Sequence, residues 1–264
     1  MLKKRLIPCL ILQNGQLVKS IGFKEYQIVG NPKIAIQFFN AWAVDEIIFL
    51  DISETRDYTS LLRTDYNYKF LQSIEEVVEE SAKSCFVPLT VGGGIKTINQ
   101  MTNYFARGAD KVCINTEAFQ RPEFTEEAAL KFGSQAIVVS IDARRTSAGN
   151  YEVFINHGKE ATGRDPVSWA REAEGRGAGE IFLTSVDRDG SLKGYDLDLL
   201  KMTTSAVAIP VIASGGVGKW QDLVDGITTG GASAVAAANI FHFTEQSTRH
   251  AKKYMAEAKI DVRV

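Results

Sequence analysis

Cysteine is scarce in this 264-residue chain: Cys9, Cys85 and Cys113 are the only ones, and none falls in a CxxC spacing. That argues against a disulfide scaffold or a zinc ribbon and leads us to expect a reducing, cytoplasmic setting. An excess of one charge is also missing. Thirty Lys and Arg face 32 Asp and Glu, for a formal net charge of −2, so nothing favours nucleic acid as a partner. Long hydrophobic runs are absent too, since no stretch reaches the roughly 18 residues that a membrane span needs. The opening MLKKRLIPCLIL runs from basic to apolar like a secretion leader. Its apolar part is short, contains Pro8 and gives way at Gln13-Asn14-Gly15 without a small-residue cleavage site, which suits a buried strand better. His157, His242 and His250 show no ligand spacing and read as satisfied or exposed side chains, so neither a metal nor a redox cofactor is expected.

What the chain does have is alternation. Short apolar runs at Arg5–Ile11, Glu46–Ile52, Phe86–Val91, Lys111–Asn115, Ala136–Asp142, Glu180–Ser185, Pro210–Ala213 and Ala234–Ala238 predict eight strands. Between them, Pro32–Trp42, Tyr68–Lys83, Ile98–Arg107, Pro122–Phe132, Pro166–Arg176 and Leu197–Ala206 predict helices, with Pro32, Pro122 and Pro166 placed where a first turn would begin. Alternating strands and helices give a parallel sheet, open or closed. Internal repetition favours closure. Val87–Gly94 lines up with Ile209–Gly216, Gly108–Val112 with Gly231–Val235, Asp45–Leu50 with Gly179–Leu183, and Arg5–Ile11 with Ala136–Asp142. The expectation is a (β/α)8 barrel of two similar (βα)4 halves, one domain over residues 1–264. Gln13–Asn31 and Arg144–Asp165 are longer interruptions at equivalent places, which predicts hairpin or mobile loops over the mouth.

Barrel enzymes work at the C-terminal ends of their strands, and glycine there lets backbone N–H groups approach an anion. Ser214, Gly215 and Gly216, with Ala238 and Asn239 one strand later, form one candidate phosphate cradle. By the repeat, Gly93 and Gly94 with Asn115 and Thr116 form a second, so an elongated ligand with an anionic group at each end is expected. The run Ser214–Lys219 superficially suggests a nucleotide loop, but Trp220 stands where Ser or Thr is required.

Taken together, Gly92–Gly94, Gly108–Val112, Ile114-Asn115-Thr116, Phe132–Ala136, Ile141-Asp142-Ala143, Gly177–Ile181, Asp187–Gly190, Gly194-Tyr195-Asp196 and Phe241-His242-Phe243 resemble the cyclase subunit of imidazole glycerol phosphate synthase, colinearly from residue 2 to about 264. In that family a glutaminase docked at the N-terminal face of the barrel delivers ammonia, and the barrel closes an imidazole ring on a bisphosphorylated ribonucleotide. The resemblance implies that Asp142 is a catalytic carboxylate and Asp189 a substrate-contacting acid, with Thr184 and Ser185 nearby. It implies that Lys19 closes over a substrate phosphate. It implies a charged ring of Arg5, Glu46, Lys111 and Glu180 at the ammonia entrance, and Asp110 as an anchor for the glutaminase.

One catalytic position departs from the family. Its first catalytic aspartate ends strand one, where this chain has Ile11; the repeat finds the same slot, because Cys9-Leu10-Ile11 aligns with Ser140-Ile141-Asp142. Isoleucine exchanges no proton, and losing a positioned acid or base typically costs about 10²–10⁴-fold in rate. The run Ile7–Leu12 resembles instead a paralogous branch tied to amidation or acetamidino modification of surface-glycan sugars. There the barrel and its glutaminase supply ammonia to a separate ATP-dependent amidotransferase. Ser53–Tyr66 is a further stretch where the mouth is expected to differ. Three readings stay open: such a paralogue holding an anionic sugar-like ligand, a true cyclase of histidine biosynthesis, or a non-catalytic barrel that scaffolds a glutaminase.

Overall fold

The computed structural model describes residues 3–55, 58, 71, 73–241 and 247–263. From the N-terminus run β1 (Arg5–Gln13), β2 (Gln16–Ile21), β3 (Glu25–Gly30), α1 (Pro32–Ala41), β4 (Ile47–Asp51) and α2 (Ile74–Ala82). Then follow β5 (Leu89–Gly92), α3 (Ile98–Ala106), β6 (Lys111–Ile114), α4 (Thr116–Gln120) and α5 (Glu123–Phe132). The second half continues with β7 (Ile137–Arg145), β8 (Tyr151–Ile155), β9 (Glu160–Ala161), α6 (Pro166–Gly175), β10 (Glu180–Ser185) and α7 (Leu197–Thr204). It ends with β11 (Val211–Ser214), α8 (Trp220–Thr228), β12 (Ala234–Ala237) and α9 (Ser247–Glu257).

Eight of these strands pair in parallel in the order β10-β11-β12-β1-β4-β5-β6-β7. The pairing of Glu180–Ser185 with Val138–Ala143 then closes the sheet on itself. The result is a (β/α)8 barrel. Closure removes both free edges, and with a side-chain period of two each strand sends one set of residues inward and one outward to the helices. The outward set packs with Trp169, Tyr104, Phe124 and Phe241 in one continuous core. The inward set forms a separate cluster of Ile7, Cys9, Ile48, Cys113, Val138, Phe182, Ile212, Ala234 and Ala236.

The two long interruptions are hairpins. β2 returns antiparallel on β1, with Val18 opposite Ile11, and β8 returns on β7, with Phe154 opposite Asp142. This pairing is why β1 and β7 extend past their predicted ends to Gln13 and Arg145. Strand β5 starts later than expected, at Leu89, and Phe86 is 87% exposed. Asn31 and Asp165 cap α1 and α6 ahead of Pro32 and Pro166. Pro122 sits one residue before α5 rather than inside its first turn. Within the predicted helix Tyr68–Lys83, the helix itself begins at Ile74, Leu71 and Ser73 being described but not helical, and the Ser73 hydroxyl caps it by accepting the Glu76 N–H. Residues 68–70 and 72 of that prediction, and most of the 53–66 stretch, lie outside the described residues.

Candidate functional site

At the N-terminal end of the barrel the first inward residue of β1, the residue before β4, and the first residues of β6 and β10 carry charge. Arg5 Nη1 lies 2.7 Å from Glu46 Oε2 and 3.0 Å from Glu180 Oε1. Lys111 Nζ lies 3.0 Å from Glu46 Oε1 and 3.2 Å from Glu180 Oε2. Signs alternate around a closed ring, so each carboxylate meets two cations. Thr90 adds a hydroxyl donor to Glu46, at 2.8 Å. Ion pairs this deeply placed are tolerated only when every charge is matched. Asp110 is exposed beside the ring, and its Oδ2 accepts the N–H of Leu89 at 2.8 Å.

At the opposite end the mouth opens into a cavity of about 820 Å³. Its floor includes Cys9, Cys113, Ser140 and Phe182, and its walls include Ile11, Leu50, Asp142, Thr184, Ser214 and Ala238. Ile7, Ile48, Val138 and Ile212 fill the barrel between this floor and the charged ring. Burial pushes the Cys9 thiol up to about 12 and lifts Cys113 well above the usual range, so both stay neutral and unreactive.

Asp142 is 8% exposed, and burial raises its carboxyl to about 7; the Ser140 hydroxyl opposes that shift and the charge of Asp189 adds to it. Asn115 Nδ2 donates to Asp142 Oδ2 at 3.1 Å, and Ser140 Oγ to Oδ1 at 3.4 Å. A carboxyl poised near neutrality can both give and take a proton at physiological pH. Asp189 is raised as well, first by burial. The Ser20 hydroxyl donates to its Oδ2 at 2.6 Å and the Phe23 N–H at 3.4 Å, so the first hairpin is bolted to the loop after β10.

Both glycine pairs line the cavity at opposite sides. Gly93 and Gly94 have φ of 109° and 55°, Gly215 and Gly216 of 92° and 105°. A side chain at Gly93 would run into the Asp51 backbone, and one at Gly216 into the Gly194 carbonyl. Close packing therefore demands glycine here as much as a ligand does. Asn115 and Thr116 stand beside the first pair, Ala238 and Asn239 beside the second.

Of the residues expected at the mouth, Asp142, Asp189, Thr184, both glycine pairs, Asn115, Thr116, Ser214, Ala238 and Asn239 all line the cavity. Ser185 does not: it is buried, and its carbonyl lies against Gly215. Lys19 does not either. It sits on β2 opposite Gln27, and its neighbour Ser20 faces the cavity instead, because adjacent strand residues point to opposite faces.

Sequence reasoning missed two groups. Asp51, 3% exposed at the end of β4, lines the cavity and accepts from Ser53 Oγ at 2.6 Å and Tyr58 Oη at 3.0 Å. Its position at the C-terminal end of a barrel strand was the available signal. His157 and Lys159, in the turn between β8 and β9, also line the cavity. The Asn156 N–H donates to Thr116 Oγ1 at 3.0 Å, which seats that turn over the first glycine pair. His242 lies outside the described residues. Among the described residues no group of His, Cys, Asp and Glu could hold a metal, and no helix is long and apolar enough to cross a membrane. A closed eight-stranded barrel with its polar groups gathered at the strand C-termini is the setting in which a family model described as histidine biosynthesis protein matches residues 5–247, and the chain belongs to that family of biosynthetic enzymes.

Proposed function

We propose that this chain is the ammonia-receiving barrel of a glutamine amidotransferase, a paralogue of the cyclase subunit of imidazole glycerol phosphate synthase. In this reading it passes ammonia toward amidation or acetamidino modification of a surface-glycan sugar. The observation that carries this reading is Ile11 in the cavity wall, on the strand equivalent to the one that presents Asp142. Asp142 can shuttle a proton, but the end of β1 no longer offers the partner acid or base that ring closure uses in the family, and Asp51 is committed to Ser53 and Tyr58.

The N-terminal face supports the partnership. The ring of Arg5, Glu46, Lys111 and Glu180 pairs two cations with two carboxylates, so it carries no net charge, and its donors and acceptors can both hydrogen-bond a small neutral molecule such as ammonia. To reach the cavity, ammonia must separate at least a single ion pair and pass one apolar layer. A glutaminase docked on this face would supply the ammonia and the contacts that shift the ring, with the exposed Asp110 as an anchor. The acceptor sugar is then completed by an ATP-dependent amidotransferase acting downstream.

A true cyclase is the second reading, because Asp142, Asp189 and both glycine pairs keep their places at the mouth. Incubating the purified chain with the histidine-pathway ribonucleotide and ammonium salt separates the two. No imidazole product is expected from the wild type, and robust cyclisation would overturn the proposal.

A further inference from the structure

Surface helices of a barrel turn polar residues outward, and α1 departs from that rule. Ile34 and Phe38 are 41% and 52% exposed and lie one turn apart, and Trp42 continues the same line with its ring 5.4 Å from that of Phe38. Positions four apart share a helix face, so the three side chains make one apolar stripe along the helix. Ile36 and Phe39 are the residues that α1 buries against the barrel, so the core does not account for this second apolar face. A contiguous exposed apolar patch with polar flanks marks contact with another molecule.

The helices on either side carry opposite charge. α2 holds Glu75, Glu76, Glu79 and Glu80 and no lysine or arginine. Glu80 joins it to α1 through Lys33, at 3.3 Å, and the Asn40 side chain donates to the Ser84 carbonyl just beyond it. Lys33 and Lys83 share Glu80, and Arg107 reaches Glu79 at 3.9 Å, which still leaves this flank negative. α9 forms the other flank: Thr248 Oγ1 and Arg249 Nη2 donate to the carbonyls of Trp42 and Ala41, each at 2.8 Å. Lys252 is buried against Asp45, whereas Arg249 and Lys253 are exposed.

Two copies pressed face to face are related by a twofold axis lying in the plane between them, and the two limiting settings of that axis differ in charge. An axis across α1 sets α9 on α9 and α2 on α2, like charge on like. An axis along α1 lays the two helices parallel, Phe38 against Phe38, and sets α9 of each copy on α2 of the other. We propose that the chain forms a twofold dimer through α1 with its axis along that helix, Ile34, Phe38 and Trp42 at the centre and α9–α2 pairs at the rim. An apolar centre within a charged rim is the anatomy of a specific interface. The contact lies on the side of the barrel, so both of its ends stay open, and the inference does not depend on the ammonia-handling reading.

Sedimentation equilibrium of the full chain tests this, and a dimer at micromolar concentration is expected. Phe38→Glu should raise the dissociation constant about 30-fold or more, the effect of a central aromatic anchor, with an unchanged circular dichroism spectrum. Ile34→Glu should act in the same direction. Glu80→Lys should weaken the dimer about three- to tenfold, and adding Lys253→Glu to the same chain should restore it. Cross-linking under a mild oxidant reports the axis: Ile34→Cys and Ala41→Cys, near opposite ends of α1, should each form a disulfide with their own copy. A monomeric wild type at millimolar concentration would overturn the inference, whichever other partner then covers the stripe. So would a dimer indifferent to both Phe38→Glu and Ile34→Glu, or cross-links that form only when Ile34→Cys and Ala41→Cys chains are mixed.

Discussion

The two halves of the barrel share a plan and divide the chemistry. Arg5, Glu46 and Lys111 put three of the four ring charges at the N-terminal face from the first half, and the second half adds only Glu180. At the mouth the two halves send in different groups: the second half contributes Asp142, Thr184 and Ser214, where the equivalent first-half positions are Ile11, Leu50 and Gly92, and the first half contributes Asp51 and Asn115, where the second half has Ser185 and Ala238. Backbone geometry is alike in both halves, hairpins included. Inward side chains were free to diverge, because a single substitution at a strand end alters the lining without disturbing the outward core.

The largest way to break this division is at the ring. Glu46→Ala should lower stability by about 3–5 kcal/mol in denaturant unfolding, because Arg5 and Lys111 each lose a partner inside the barrel. A loss under about 1 kcal/mol would mean that the ring is solvated and does not seal the N-terminal end.

Second comes Ile11→Asp, which makes the two mouths alike. Two buried carboxylates in one cavity repel when ionised, so destabilisation of about 1–3 kcal/mol is expected at pH 8 and less at pH 5. If the rest of the site is competent for ring closure, this variant is also the one that should begin to cyclise the ribonucleotide.

Third is Asp142→Asn. The folded carboxyl titrates near 7, above its unfolded value near 3.9, so the folded state holds the extra proton between those limits. Stability from this group is therefore full below about pH 4, falls as pH rises toward 7 and is flat beyond. Removing the charge should flatten that slope and raise stability at pH 8 by on the order of 1–2 kcal/mol, read from melting curves at pH 5 and pH 8. An unchanged slope would show that Asp142 is not the group that titrates.

The smallest effect concerns the second hairpin. Thr116→Val removes the acceptor of the Asn156 N–H, costing about 1 kcal/mol or less globally but speeding amide exchange in β8 and β9. Equal exchange in the variant and the wild type would mean that the turn is held by other contacts.

The barrel, its two halves and its hairpins were legible because apolar periodicity and the internal repeat are properties of sequence order. Both glycine pairs were legible for the same reason, since strand ends mark the mouth, whereas Asp142 and the ring were picked out by the family resemblance. Lys19 was not, because which face of β2 meets the cavity depends on a pairing register, and a shift of one residue exchanges Lys19 for Ser20. His157 and Lys159 were hidden by a turn whose direction is fixed by one long-range bond to Thr116. Asp51 was hidden in plain sight, its side chain committed to Ser53 and Tyr58.

The tips of the two hairpins meet: a side chain added at Gly158 would press on the ring of Phe23. Entry to the cavity is thus a pair of facing leaves, one rooted in each ancestral repeat and each latched separately, at Asp189 and at Thr116. A bulkier residue at position 158 would therefore disturb both hairpins at once, because their tips share that contact.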